Sequence, residues 1–122
     1  MAAQPDLWGE IAPAALRTPL AVLREQAALL GRKTNNLVEA TVSTGVYRGG
    51  FLHRFNLVVP ALDGYTYELF AVTNGIELYP VSLAYGNLSF QSEEKFLDWL
   101  RQELSSPKTK RIIANLLAQA TS

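Results

Sequence analysis

The spacing of apolar positions changes twice along the chain. In "TPLAVLREQAALLGRKT", residues 18–34, Leu20, Leu23, Ala27 and Leu30 recur at three and four residues, which predicts one buried helical face. Thr18 suits the N-cap and Pro19 the first helical position. Gly31 supplies a stop, and Arg32 and Lys33 sit at the end where the helix dipole favours cations.

From Leu37 to Leu83 the period drops to two. "LVEATVSTGVY" sets Val38, Ala40, Val42 and Val46 against Glu39, Thr41 and Ser43, as a half-buried strand does. "RGG" reads as a turn and "FLHRFNLVVPAL" as a second strand. Asp63-Gly64 reads as a tight turn, "YTYELFAVT" as a third strand, Asn74-Gly75 as another tight turn and "IELYPVSL" as a fourth strand. Pro80 cannot donate to a ladder, which predicts that the fourth strand is an edge or is bulged. A short fifth strand is expected at Leu88–Phe90, after the turn residues Gly86-Asn87.

Closing these hairpins on their turns pairs Val46 with Phe51, Leu57 with Phe70, and Phe70 with Tyr79. One sheet face then holds Val38, Ala40, Val42, Val46, Phe51, Phe55, Leu57, Val59, Phe70, Val72, Tyr79 and Val81. The helical period returns in "SEEKFLDWLRQEL", capped by Ser92 with Phe96, Leu97, Leu100 and Leu104 as its stripe. It continues in "PKTKRIIANLLAQA", where Ile112, Ile113, Leu116, Leu117 and Ala120 share a face.

The pattern predicts a two-layer α+β domain: an antiparallel four- or five-stranded meander with one N-terminal and two C-terminal helices packed on one face. Residues 1–17 form an arm and residues 18–122 the single domain. In the arm, Trp8 and Ile11 are expected to latch onto the body. The stretch "YELFAVTNGIELYPV" resembles small bacterial proteins, a likeness that brings no functional residue with it.

Composition narrows the chemistry. A hydrophobic share of 48% with 18% charged residues over 122 residues supports a packed core and argues against disorder. Eleven cations balance eleven anions, so bulk attraction gives no reason to expect nucleic acid as a partner. The absence of cysteine excludes disulfides, thiolate nucleophiles and cysteine-bound zinc. The start "MAAQPDLWGE" carries no secretory pattern and no apolar run approaches a membrane span, so a cytoplasmic location without membrane contact is expected.

Candidate catalytic groups are sparse. His53, the single histidine, falls on the core face between Phe51 and Phe55 without a nucleophile or an orienting carboxylate, and reads as a packing or hydrogen-bonding residue. Glu68 and Glu77 fall several rungs apart and read as rim residues rather than as a hydrolytic pair. The glycines of "RGGF" and "YGN" lack phosphate-loop spacing. No catalytic residue, metal site or cofactor is expected, and the chain is read as a non-enzyme.

Two surfaces remain. The second sheet face carries Arg54, Tyr65, Tyr67, Leu69 and Leu78, and an exposed apolar face of this kind takes a partner protein or a second copy. The segment "SSPKTKR" sets Ser106, Lys108, Lys110 and Arg111 at a helix N-terminus, where an anion or an anionic metabolite would be held. The leading expectation is a protein-binding module (an adaptor, immunity or chaperone-like protein) acting through the sheet face, with self-association as one form of it. The alternative is a small-ligand sensor at the basic helix start.

Overall fold

The computed structural model describes residues 4–122, so residues 1–3 of the expected arm lie outside the described residues. The order of elements is α1 (Pro19–Lys33), β1 (Glu39–Tyr47), β2 (Gly50–Val59), a 3-10 turn (Pro60–Leu62), β3 (Tyr65–Asn74), β4 (Val81–Leu83), β5 (Ser89–Phe90), α2 (Glu93–Leu104) and α3 (Pro107–Ala120). The five strands pair in chain order as one antiparallel meander. The helices share a core with one side of it, giving the two-layer α+β architecture.

Each helix starts where its sequence says. Thr18 accepts from Ala21 N, Ser92 from Lys95 N and Ser106 from Thr109 N, each cap satisfying one otherwise orphaned N–H. α1 does not stop at Gly31, which is buried inside it. The chain leaves the helix after Lys33, and Asn35 and Asn36 take the left-handed conformation instead.

The β1–β2 hairpin has the expected register, with Val46 opposite Phe51, Val42 opposite Phe55 and Ala40 opposite Leu57. Its loop is Arg48-Gly49, both residues at positive φ, as a two-residue hairpin turn matched to strand twist requires.

The next two hairpins depart from the expected registers. Phe55 pairs with Phe70 and Leu57 with Tyr67, because the 3-10 turn at Pro60–Leu62 lengthens the connection and a bulge leaves Leu69 without a partner. Asn74-Gly75 is not a hairpin turn. Asn74 is the last residue of β3 and pairs with Val81, so the whole stretch from Gly75 to Pro80 is connection. β4 therefore begins just after Pro80 and lies between β3 and β5; it is neither an edge nor bulged at the proline.

The core face is largely as expected: Val38, Phe55, Leu57, Val59, Phe70, Val72 and Val81 are buried. They meet Val22, Leu23 and Ala27 of α1, Phe96 and Leu100 of α2, and Leu116 of α3. Phe70 anchors the centre, stacked on Phe55 at 5.1 Å and edge-on to Trp99 at 5.1 Å. The face fails at the β1–β2 hairpin end, where Val46 and Phe51 are exposed.

Candidate functional site: an apolar groove between the helices

α1 lies over β1 and β2, whereas α2 packs beside β5 and α3 beside the 3-10 turn. The helix layer therefore has a gap above the middle of the sheet. The gap is a cavity of about 560 Å³, open to solvent, within the ~300–1,000 Å³ range of ligand sites. Its floor is Phe55 and Leu57 of β2 and the unpaired Leu69 of β3.

Both long walls have the same sequence logic. α1 contributes Gln26, Leu29, Leu30 and Lys33, and α2 contributes Leu97, Leu100, Arg101 and Leu104. Each set is spaced i, i+3, i+4, i+7, the stripe by which a helix presents one face. α3 closes the end with Thr109, Lys110 and Ile113. The groove is apolar in its depth and carries three cations, Lys33, Arg101 and Lys110, on its lining. Among the described residues, Arg101 pairs with Asp98 at 3.2 Å, and Lys33 and Lys110 join no ion pair.

The β-bulge supplies the floor. Tyr65 lies opposite Val59 and Tyr67 opposite Leu57, both buried on the helix side, so the tyrosines share that side of the sheet. Without the extra residue at 69 the tyrosines would fall on the other face, where the sequence alone placed them. The five residues expected to form one patch are accordingly dispersed. Tyr67 and Leu69 pack against the core from the helix side, and Tyr65 is half-exposed at its margin. Leu78 sits in the β3–β4 connection at φ 70°, a conformation disfavoured for a branched side chain.

Arg54 alone remains on the open face, bonded to Glu68 at 3.0 Å amid Thr41, Ser43, Thr66 and Thr73. That face is mixed, since Leu52, Val58 and Ala71 lie among these polar residues, and Glu68 is on it rather than at the rim of the core. Glu77 lies exposed in the connection after Gly75.

At the start of α3, the Ser106 hydroxyl is already engaged: it accepts from Thr109 N at 3.2 Å and donates to Thr109 Oγ1 at 3.1 Å. Thr109, buried, donates in turn to the Glu103 carbonyl at 2.9 Å. Lys108, Lys110 and Arg111 are all exposed, and of these only Lys110 borders the groove. The carboxylates of α2 do not neutralise this basic start, since Asp98 pairs with Arg101 and no described ion pair includes Glu103.

His53 is buried away from the groove. It accepts from the Thr44 hydroxyl at Nδ1 and donates to Asn74 at Nε2. Burial, with Arg24 adding to it, holds the imidazole below its ordinary pKa despite the bond to Asn74. Among the described residues, no three His, Asp or Glu side chains are grouped to hold a metal ion, and no helix is long and apolar enough to cross a membrane.

Gln26, Leu29, Arg101 and Thr109 line the groove without standing out in the sequence, and of these Leu29 alone has a signal there, since it widens the apolar stripe of α1 beyond the line the core needs. The chain matches no family model, and no curated protein or solved structure is significantly similar to it.

Proposed function

We propose that the protein is a protein-binding module whose groove, rather than the open sheet face, receives an apolar partner segment carrying carboxylates. The observation that carries this reading is the open apolar cavity floored by Phe55, Leu57 and Leu69 and bordered by Lys33, Arg101 and Lys110. Apolar depth supplies affinity, and cations at the border select charge and orientation. The open face, where Leu52, Val58 and Ala71 are partly or fully buried among polar residues and Arg54 is bonded to Glu68, offers a weaker surface for the same task.

The test is fluorescence anisotropy with two labelled peptides, one built of leucine and glutamate and the other of leucine and lysine. The groove reading expects saturable binding of the glutamate peptide, weakened by Leu29→Asp and by added salt. Equal affinity for the lysine peptide, or binding indifferent to Leu29→Asp, would sink it. Binding of neither peptide, together with saturable binding of a labelled fatty carboxylate that Leu29→Asp weakens, would assign the groove to a small anionic amphiphile instead.

A further inference from the structure

The N-terminal arm does not latch onto its own domain. Leu7, Trp8 and Ile11 are 77%, 81% and 73% exposed, and Leu16 is 58% exposed. Four large apolar side chains so close in sequence, all facing water, form a surface that asks for a partner. The charges of this segment complement the groove. From Gln4 to Leu16 the ionisable side chains are Asp6 and Glu10, with no cation. The groove lining bears Lys33 and Lys110, which join no described ion pair, and Arg101, which is shared with Asp98, and it bears no carboxylate.

The exit of the arm is fixed. Arg17 donates its backbone N–H to Glu93 Oε1 at 3.3 Å, its carbonyl accepts from the Tyr79 hydroxyl at 3.0 Å, and its guanidinium pairs with Glu25. These bonds hold the root of the arm where α1 and α2 begin, whereas the groove is walled by their later turns, Gln26–Lys33 and Leu97–Leu104. From that root the arm extends with its apolar side chains in solvent. Eight residues lie between Trp8 and Arg17, an extended reach of about 30 Å, enough to cross to a neighbouring molecule.

We propose that the groove of one copy receives the arm of a second copy, with Leu7, Trp8 and Ile11 in the apolar depth and Asp6 and Glu10 toward the bordering cations. Reciprocal exchange would fill both grooves about a two-fold axis. The zero net charge of the chain puts no general repulsion in the way. This inference rests on the groove being a peptide site, and it names the peptide.

Sedimentation velocity on the full chain, with circular dichroism on every variant, tests it. A concentration-dependent dimer is expected. Trp8→Asp, at an exposed position, should raise the dissociation constant by about 30-fold, the size of a buried tryptophan hot spot. Leu29→Asp should do the same from the groove side. Mixing the two variants should restore a heterodimer, since one molecule keeps an intact arm and the other an intact groove.

A monomer whose Trp8→Asp variant gains affinity for the leucine–glutamate peptide would mean that the arm occupies its own groove, overturning exchange. A dimer indifferent to both substitutions would overturn it as well. If the chain is monomeric and the glutamate peptide binds wild type and Trp8→Asp equally, exchange fails and the groove reading stands. If the chain is monomeric and that peptide does not bind even the Trp8→Asp chain, both fail.

Discussion

His53 Nε2 lies 2.7 Å from Asn74 Oδ1, and this bond sets the protonation of the ring. The Asn74 amide is oriented by its own donation from Nδ2 to the Gly75 carbonyl at 3.0 Å, which leaves Oδ1 to accept. Nε2 therefore carries the hydrogen, and Nδ1 is free to accept from the Thr44 hydroxyl at 2.9 Å. The neutral ring is fully satisfied in place beside the Phe51 ring, and the charge of Arg24 further disfavours its protonation.

A pH dependence follows, with a definite sign. The folded pKa lies below the ordinary value of 6.5, so on acidification the unfolded chain takes up the proton first. The stability tied to neutral His53 is complete above that value and is lost as pH falls from it towards the folded pKa. Urea midpoints measured between pH 8 and pH 5.5 should decline, and His53→Gln should flatten the decline. An unchanged slope in the variant would show that another group titrates.

Gly50 opens β2 against the end of β3. A Cβ there would stand 2.5 Å from the Asn74 carbonyl oxygen and 3.1 Å from the Gly75 Cα, both backbone atoms that cannot rotate away. Gly50→Ala should cost about 1–3 kcal/mol, the usual cost of overpacking, read as a lower denaturant midpoint. The strain falls on the residue that orients His53, so the variant's pH dependence should change as well.

How much of this could be read from the sequence differs from hairpin to hairpin. Val46↔Phe51 was legible because Arg48-Gly49 closes β1–β2 with the minimal turn and alternation runs on unbroken. Phe55↔Phe70 was not. Pro60–Leu62 adds a turn of 3-10 helix, and the bulge at Leu69 shifts the partner without disturbing the hydrophobic string on either side. Asn74-Gly75 has the composition of a hairpin turn, but the Asn74 side chain is engaged by His53 and its backbone by Val81. The groove is less legible still, since it is the space between helices whose walls stand some seventy residues apart in the chain. A stripe predicts burial of a face; it does not say that two faces are kept apart.

Thr109 ties α3 to α2 from a buried position. Its hydroxyl donates to the Glu103 carbonyl at 2.9 Å and accepts from Ser106 at 3.1 Å, adding to the backbone bond from Ser106 N to the same carbonyl across the turn between the two helices. Thr109→Val keeps the shape and strips both bonds, leaving the carbonyl of Glu103 without this donor. Because that carbonyl keeps the Ser106 N–H as a donor, a loss of about 0.5–1.5 kcal/mol in chemical denaturation is expected. Thr109→Ser, which restores the hydroxyl, should recover most of it; if both substitutions cost the same, packing of the methyl group and not the hydrogen bond is what matters.

Lys108 and Lys110 start the same helix and should answer the same substitution differently. Both place positive charge where unpaired N–H groups already make the potential positive, against the preference of the helix dipole. Lys108 is not part of the groove lining, so Lys108→Glu should raise stability by a few tenths to about 1 kcal/mol and leave binding of the leucine–glutamate peptide unchanged. Lys110 borders the groove beside Thr109 and Ile113, so Lys110→Glu should weaken that peptide and favour its lysine counterpart, whatever it does to stability. Thermal midpoints and anisotropy on the two variants separate the effects. Equal loss of binding from both would mean that the charge acts at long range across the surface and vanishes with salt; no loss from either would remove the cations of α3 from recognition.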